Sequence, residues 1–385
     1  MVERAVSVAR GEAPAAIALA GLAALAVAIG IGRFAFTPIL PMMEEDAGLS
    51  VAAGGWLASA NYAGYLLGAL WAAVTPARAA VAIRGGLATI CVATLAMSVE
   101  GGSAGWAVLR LVAGVASAWV LIHVSAWSLE RLAAARRPLL EGVVFSGVGV
   151  GILVTGLFCA ALMAAHADSA TAWRHLGLLS LAATLVTWNA FASLSGALRR
   201  DRAERRWSLA HARLAFAYGT FGFGYIIPAT FIPVLAKELL RNPIAFGWAW
   251  PVFGAAAALS TLVMKLVAER CGARTLWASA QLVMAFGVAA PVALPGSAGI
   301  ALAALCVGGT FMVVTMSGMV EARRIAPAGA ASLMAAMTAA FAAGQIAGPV
   351  LVSLVLANGG GFSAALLLAC GALAAGAGAL WERAP

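Results

Sequence analysis

Charged side chains are scarce in this sequence. Asp, Glu, Lys and Arg together make up 10% of the 385 residues, while apolar residues make up 63%. A soluble domain carries roughly 25% charged and about 45–50% apolar residues, and no soluble core of this size could bury the excess. The sequence therefore predicts an integral membrane protein. It excludes a soluble enzyme, a nucleic-acid-binding protein and a disulfide-stabilised scaffold.

Cysteine and histidine are also few, with five and four copies. The cysteines are scattered, and none has the Cys-x-x-Cys or metal-ligand spacing of a redox or zinc site. Gly147, Gly149 and Gly151 superficially resemble a nucleotide loop, but they lie in an apolar stretch without the strand and ribose-binding acid of such a loop. We therefore expect no metal, no cofactor and no enzymatic activity.

What the sequence does contain is a series of long apolar stretches. A helix needs about 20 apolar residues to cross the hydrocarbon layer of a membrane, and twelve stretches meet this length. The predicted spans, numbered as helices 1 to 12, are 14–37, 55–75, 79–98, 104–129, 139–165, 170–197, 212–236, 246–267, 275–294, 297–320, 328–357 and 361–381. The fold class is therefore an all-α membrane protein with twelve transmembrane helices.

The basic residues indicate the orientation of these helices. If the N-terminus is cytoplasmic, cytoplasmic segments and the span ends beside them hold 19 of the 24 basic residues. The outer loops hold only Arg174, Lys237 and Arg241, and the spans hold Arg33 and Arg110. Positive charge stays on the cytoplasmic side of membrane proteins. We therefore expect a multi-pass protein of the bacterial cytoplasmic (inner) membrane with both termini in the cytoplasm.

The two halves of the chain are similar at an offset of 192 residues. Gly30, Gly32 and Pro41 align with Gly222, Gly224 and Pro233, and Arg78 aligns with Arg270. At an offset of 197, Gly147-x-x-x-Gly151 aligns with Gly344-x-x-x-Gly348. These matches predict a duplicated six-helix unit, with an N-terminal bundle over 1–198 and a C-terminal bundle over 212–385. In transporters built from such repeats, the substrate site lies at the repeat interface near mid-membrane.

A basic linker, 199–211, separates the two predicted bundles. It carries Arg199, Arg200, Arg202, Arg205 and Arg206. We interpret this cluster as a topology determinant that contacts anionic lipid headgroups. A regulatory docking site is the alternative.

Several motifs resemble those of the major facilitator superfamily. After helix 8, Glu269-Arg270-Cys271-Gly272-Ala273-Arg274 resembles its acidic-Arg-x-Gly-x-Arg loop, and Arg110-x-x-x-Gly114 in helix 4 resembles its Arg-x-x-Gln-Gly motif. Three segments, 30–41, 55–68 and 222–233, are more closely similar to the bacterial YbfB/YjiJ-type transporters. The resemblance implies a monomeric secondary transporter that works by alternating access. It also implies a central site lined by helices 1, 2, 4, 5, 7, 8, 10 and 11.

Acidic residues are missing from the interiors of the spans, since all 15 lie in loops or at span ends. An exporter of cationic drugs commonly uses a buried acid to bind both its substrate and a proton. This chain instead places two arginines in the membrane, which favours an anionic substrate. Proton coupling would then use an acid at a span end, such as Glu141 or Glu321, or His123, or the charge of the substrate itself.

Arg33 is the strongest candidate for substrate binding. A charge within a span costs roughly 2.5–3.5 kcal/mol on insertion scales and is tolerated only where it faces protein or water. The helical period places Arg33 and Thr37 on one face of helix 1, and the repeat places Tyr218 and Tyr225 on the equivalent face of helix 7. We interpret Arg33 as an anion-binding residue opposite Tyr225. The alternatives are a structural arginine paired with a carboxylate or carbonyl groups, or one that reaches the headgroups.

Asn61 and Tyr65 in helix 2 and Gln345 in helix 11 complete the predicted substrate-binding residues. They suit a cavity wall that supplies hydrogen bonds and aromatic contact. The alternative for Asn61 and Gln345 is that they join neighbouring helices by hydrogen bonds.

A second set of residues is predicted to serve gating or coupling. Arg110 is either a coupling residue or an interhelical structural contact, and both interpretations stay open. His123 can carry a proton near neutral pH, but it lies about 140° around helix 4 from Arg110, so a packing role is favoured. The remaining members are glycines suited to close helix contact, the family-motif arginine and an acid at a span end: Gly147, Gly151, Gly344, Gly348, Arg270 and Glu141.

The sequence therefore predicts a secondary active transporter for a small molecule, with an organic anion as the preferred substrate and proton coupling left open. The expected partners are the substrate, the lipid bilayer and, if coupling occurs, protons. One alternative is a proton-coupled exporter of drugs or metabolites. A second is a membrane receptor that binds without transporting.

Overall fold

A computed structural model of the protein describes residues 13–75, 78–99, 101–137, 139–191, 208–239, 247–326 and 330–381. Arg4, Arg10, Arg241 and the arginines at 199–206, all used in the orientation argument, lie outside these ranges. The predicted boundary at residue 198 lies outside them too. Nothing in the structure bears on the interpretation of the basic linker.

Twelve helices follow one another along the described residues, which confirms the predicted number. They are α1 (Pro14–Asp46, interrupted internally), α2 (Val51–Val74), α3 (Ala79–Ala96), α4 (Gly102–Ala134), α5 (Leu140–Ala164), α6 (Ser169–Thr187), α7 (Leu209–Leu239), α8 (Ala249–Cys271), α9 (Ala273–Ala293), α10 (Ser297–Ile325), α11 (Ala330–Ala357) and α12 (Phe362–Trp381). Over the described residues, nine of them are long and apolar enough by themselves to cross a membrane. The helices form two bundles, α1–α6 and α7–α12.

The first helix extends further than the sequence predicts. It was expected to end at residue 37, with an acidic outer loop after it, but it continues to Asp46. The cause is an apolar run whose side chains Leu40, Met42 and Met43 are buried in the core. Gly48 then ends the helix with φ of +62°, while the N–H groups of Ala47 and Leu49 both donate to the carbonyl of Met43 at 3.1 Å.

Two arginine contacts show the internal repeat. In the first bundle, Nε and Nη2 of Arg84 in α3 donate to the carbonyl of Trp188 after α6, at 2.9 and 2.7 Å. In the second bundle, Nε of Arg274 in α9 donates to the carbonyl of Leu380 in α12 at 2.7 Å. Trp188 and Leu380 are 192 residues apart in the sequence. The same helix end is therefore held by the same type of side chain in both bundles.

Glycines set the spacing of helices within each bundle. A Cβ at Gly30 in α1 would lie 2.4 Å from the Cα of Gly151 in α5, and one at Gly147 would lie 2.2 Å from the carbonyl oxygen of Leu22. In the second bundle, a Cβ at Gly344 would lie 2.3 Å from the carbonyl oxygen of Gly219 in α7. Real Cβ atoms do not approach this closely. The close packing of α1 on α5 and of α7 on α11 therefore requires glycine at these positions.

Candidate functional site

The first element of the site is a break in α1. Regular helix ends at Leu25, a π-helical segment covers Ala26–Ile31, and α-helix resumes at Phe36. Within the break, the N–H of Gly32 donates to the carbonyl of Val27 at 2.8 Å, a spacing of five residues. Pro38 contributes to the break because it has no N–H for the carbonyl of Phe34 and its ring crowds that carbonyl. Local π-helix is frequent at functional sites.

Arg110 and Asn61 bind the carbonyl groups that the break frees. Arg110 donates through Nη1 to the carbonyl of Gly32 at 3.2 Å and through Nη2 to that of Arg33 at 2.7 Å. Nδ2 of Asn61 donates to Gly32 at 3.3 Å and to the carbonyl of Arg110 at 2.8 Å. Both side chains are buried. In this structure they connect α1, α2 and α4, which is the structural alternative considered for each of them.

Arg33 lies in the break and has a different environment. Its side chain is only 4% exposed, yet Nε and Nη2 have no hydrogen-bond partner among the described residues. The guanidinium carbon lies 4.5 Å from the ring centre of Tyr65, 4.8 Å from that of Tyr62 and 5.3 Å from that of Phe34. Aromatic rings stabilise a desolvated cation by about 2 kcal/mol, but they supply no acceptors. The site therefore holds a buried cation with free hydrogen-bond donors.

The second bundle supplies an aromatic wall around Tyr225 in α7. Its ring is nearly parallel to Phe311 in α10 (centroids 5.8 Å apart, 4° between planes) and to Phe341 in α11 (5.6 Å, 11°). Nε2 of Gln345 donates to the hydroxyl of Tyr225, while Oε1 of Gln345 has no partner among the described residues. Tyr218 lies next to this wall, with its ring centre 5.2 Å from that of Phe341.

The two bundles meet at this wall. The hydroxyl of Thr37 in α1 donates to the carbonyl of Ala229 in α7 at 3.0 Å, across 192 residues of sequence, so the two helices touch at equivalent positions of the repeat. The hydroxyls of Tyr62 and Thr230 lie 3.0 Å apart. Tyr225 lies one helical turn before Ala229 in α7. Tyr62 therefore lies at the boundary between the bundles, and Tyr225 lies one turn from a contact across it.

The other predicted gating residues lie elsewhere. His123 is buried beside Trp119, whose carbonyl is 2.8 Å from its Nδ1, and its position in α4 is about 20 Å along the helix axis from Arg110. Glu141 is half-buried in the first turn of α5, and Arg270 is exposed at the end of α8. The side chain of Glu269 is not among those described. A gating role for these residues stays a prediction.

The glycines of α5 divide into two faces. Gly147 and Gly151 face α1 inside the first bundle, and Gly344 and Gly348 face α7 inside the second. Two other glycines of α5 contact α8 of the opposite bundle: a Cβ at Gly149 would lie 2.2 Å from the backbone nitrogen of Ala258, and one at Gly156 would lie 2.8 Å from that of Pro251. Sequence reasoning had grouped Gly149 only with the false nucleotide loop. From the other side, a Cβ at Gly254 in α8 would lie 2.3 Å from the backbone nitrogen of Leu153 in α5.

Sequence reasoning also missed Tyr62, Phe311 and Thr230. Tyr62 was detectable, because it lies three residues before Tyr65 and so shares its helix face. Phe311 had no such signal, because an aromatic residue in an apolar span is most often ordinary packing. Among the described residues there is no group of three or more His, Cys, Asp or Glu side chains that could hold a metal ion.

Further contacts close the boundary on the side of the predicted outer loops. Nζ of Lys237 lies 2.5 Å from Oε1 of Glu45 and donates to the carbonyl of Pro41 at 3.3 Å. The hydroxyl of Ser353 donates to the carbonyl of Ala52 at 3.0 Å, and that of Ser59 to the carbonyl of Ile346 at 3.3 Å. The bundles are thus joined at their predicted outer ends.

Lys237→Glu is expected to loosen this closure. It replaces an attraction to Glu45 by a repulsion, but the side chains are 30% and 70% exposed, so the effect should stay within about 1 kcal/mol, or roughly fivefold. The measurement is the rate at which a membrane-impermeant maleimide labels Ser59→Cys from outside intact cells. The double variant Glu45→Lys with Lys237→Glu should restore the slow rate. Equal rates in all backgrounds would contradict a role for this ion pair.

The chain is similar to known proteins in both sequence and fold. The family model described as "Uncharacterised MFS-type transporter YbfB" matches residues 25–380. A crystal structure of a variant of the nucleoside transporter NupG matches with a TM-score of 0.72 and 16% sequence identity, and the match covers 95% of this chain and 100% of the other. At this identity the likeness shows a shared fold alone. No curated protein matches the sequence.

Proposed function

Since the chain belongs to the family of uncharacterised MFS-type transporters that is named after YbfB, we propose that it transports a small organic anion by alternating access and binds it at Arg33. The family and the fold make the protein a multi-pass membrane transporter. The substrate, its charge, any coupling to protons, and a location in the bacterial inner membrane with both termini inside are the proposed part.

The observation that carries the proposal is the buried guanidinium of Arg33, whose Nε and Nη2 have no hydrogen-bond acceptor among the described residues. Burying a charge without a partner costs several kcal/mol, and a chain retains such a group in a membrane mainly for function. Arg110, in the same part of the first bundle, differs because both of its terminal nitrogens donate to carbonyl groups and only Nε lacks a partner among the described residues. The free donors of Arg33 therefore suit a ligand that brings its own negative charge.

The location of Arg33 supports alternating access. Its aromatic neighbours come from α1 and α2, whereas Tyr225 and Gln345 belong to α7 and α11. A ligand bound to both groups would contact both bundles, so its binding would depend on how the bundles are arranged. That dependence is what lets a bound substrate shift the equilibrium between two conformations.

A thermal-shift screen of the purified protein tests the proposal. The panel contains benzoate and succinate as anions, tetraphenylphosphonium as a cation, and glucose and uridine as neutral compounds. We expect an anion to raise the melting temperature, since a ligand at 100 times its Kd stabilises by about 2.7 kcal/mol. Arg33→Ala should weaken binding by about 100-fold or more. Arg33→Lys should be intermediate, because lysine lacks the planar fork of arginine.

Arg174→Ala is the matched control, because it removes one positive charge from an exposed position in α6. Undiminished anion affinity in Arg33→Ala would overturn the proposal. Stabilisation by the cation alone, unchanged in Arg33→Ala, would favour the exporter alternative. It would turn attention to Glu321, which is 1% exposed in the last turns of α10 and is paired with Arg324. Binding without uptake into proteoliposomes would favour a receptor.

A further inference from the structure

The atoms of Arg33 that lack partners are not an arbitrary pair. Nε and Nη2 are both without a hydrogen-bond acceptor, and their N–H bonds point the same way along one edge of the planar guanidinium. Two parallel donors on one edge match the two oxygens of a carboxylate. Tyr62 and Tyr65 contact the guanidinium through their rings and leave this edge unbonded. The free edge thus favours a carboxylate over a spherical anion such as chloride.

A second unsatisfied polar atom lies across the bundle boundary. Gln345 is fully buried and uses Nε2 to donate to Tyr225, but its Oε1 accepts no hydrogen bond from any described residue. A buried acceptor without a donor costs about 1–3 kcal/mol. A ligand that places an O–H or N–H group at Oε1 would recover this cost.

Aromatic side chains lie beside each of these two points. Tyr65 and Tyr62 flank Arg33 on one side, and Tyr225 stacks almost parallel with Phe311 and Phe341 on the other. Aromatic side chains attract one another most strongly when rings are offset and stacked. A planar aromatic ring in the ligand would use these faces better than a flexible aliphatic chain of equal size.

From these three observations we propose that the substrate is a planar aromatic carboxylate that carries a hydrogen-bond donor on its ring. Arg33 binds the carboxylate through Nε and Nη2, the rings of Tyr65 and Tyr225 contact the aromatic ring, and Oε1 of Gln345 accepts from the ring donor. Tyr225 also holds the Gln345 amide in place, so it is a positioning residue as well as a contact. This inference rests on the proposed function and narrows its substrate class.

A series of matched ligands tests each contact separately. The probes are 3- and 4-hydroxybenzoate, benzoate (no ring donor), 4-methoxybenzoate (an acceptor in place of the donor), cyclohexanecarboxylate (no aromatic ring) and 4-hydroxybenzyl alcohol (no charge). We expect one hydroxybenzoate to bind about tenfold or more tighter than benzoate and 4-methoxybenzoate, because a buried polar partner left unpaired costs at least this much. Cyclohexanecarboxylate should bind more weakly than benzoate, and the alcohol should not bind.

Two variants assign the selectivity to residues. Gln345→Met keeps the length of the side chain but removes the acceptor, so hydroxybenzoate and benzoate should bind with nearly equal affinity. Tyr225→Leu should reduce the preference for benzoate over cyclohexanecarboxylate, and Tyr225→Phe, which keeps the ring, should retain that preference. The melting temperature without ligand shows whether each variant is folded. If one is not, the wild-type ligand series still decides the proposal.

The outcomes separate this inference from the proposed function. If cyclohexanecarboxylate and succinate bind as tightly as hydroxybenzoate, and Arg33→Ala abolishes binding of all three, the organic-anion function stands and the aromatic assignment is wrong. If 4-methoxybenzoate equals 4-hydroxybenzoate, the role of Gln345 as acceptor is wrong. If no probe binds in a way that depends on Arg33, both proposals fail.

Discussion

Arg110→Ala is expected to lower the free energy of unfolding by about 1–3 kcal/mol. The substitution leaves two buried carbonyl groups, those of Gly32 and Arg33, without the guanidinium that now donates to them at 3.2 and 2.7 Å. Each buried polar group that loses its partner costs about 1–3 kcal/mol. Asn61 can retain its bond to Gly32 at 3.3 Å, but Arg33 then has no substitute donor. The break in α1 should therefore lose the hydrogen bonds from Arg110 that hold it against α4.

Arg33→Ala provides the contrast. It removes a buried cation that has no hydrogen-bond acceptor at Nε or Nη2. The folded state loses ring contacts that contribute about 2 kcal/mol, but it is relieved of a desolvated charge that costs several kcal/mol. We expect its free energy of unfolding to equal or exceed that of the wild type. Chemical denaturation of both variants in mixed micelles, followed by tryptophan fluorescence, measures the difference. Equal losses in the two variants would mean that Arg33 is structural, and would count against the anion site as well.

The opposite roles of these two arginines could not be derived from the sequence. Both are single charges within apolar spans, and on an insertion scale they are equivalent. What separates them is the break in α1, which exposes carbonyl groups to Arg110 and places Arg33 against the rings of Tyr62 and Tyr65. The break depends on tertiary contacts from α2 and α4 as well as on Pro38. The same Pro41–Pro233 match that indicates a repeat gives no sign that α1 is interrupted while α7 is continuous.

The helices themselves were predictable because the membrane imposes one requirement on every span. About 20 apolar residues are needed whatever the neighbours are, and the predicted third span, 79–98, coincides closely with Ala79–Ala96. Side-chain partners follow no such local rule. The helical period placed Arg33 with Thr37, and the repeat placed Tyr225 opposite them. In the structure Thr37 contacts α7 at the carbonyl of Ala229, one helical turn after Tyr225. To predict that Tyr62 and Phe311 belong to the site, one would need to know how α2 and α10 are rotated about their axes.

The neighbour that each glycine of α5 faces could not be predicted from the spacing of the glycines in the sequence either. Gly147, Gly149 and Gly151 are equally small, yet Gly149 faces α8 of the other bundle while its neighbours face α1. Residues two apart on a helix point about 200° apart, so one helix can serve an internal and an external contact at once. We infer that α5 packs permanently on α1 through Gly147 and Gly151. Movement between bundles would then involve Gly149 and Gly156, which face α8.

Gly151→Ala tests this distinction and should be strongly destabilising for so small a change. A Cβ at Gly151 would lie 2.6 Å from the carbonyl oxygen of Ala26 and 2.8 Å from the Cα atoms of Ala26 and Gly30. All three are backbone atoms, so α1 and α5 must separate, and overpacking of this kind costs about 1–3 kcal/mol. The matched control is Gly85→Ala in α3, where a Cβ meets no atom within 4 Å.

The two substitutions add the same methyl group, so their difference isolates the contact between α1 and α5. Alanine is the better helix former by about 1 kcal/mol, and Gly85→Ala should therefore match or exceed the wild type in free energy of unfolding. Gly151→Ala should have a lower free energy of unfolding than the wild type, although it has the same gain in helix propensity. Because Gly151 touches Gly30 next to the break, the separation should also displace Arg33 and weaken anion binding. A stable Gly151→Ala variant with full affinity would show that α1 and α5 are not closely packed beside the site.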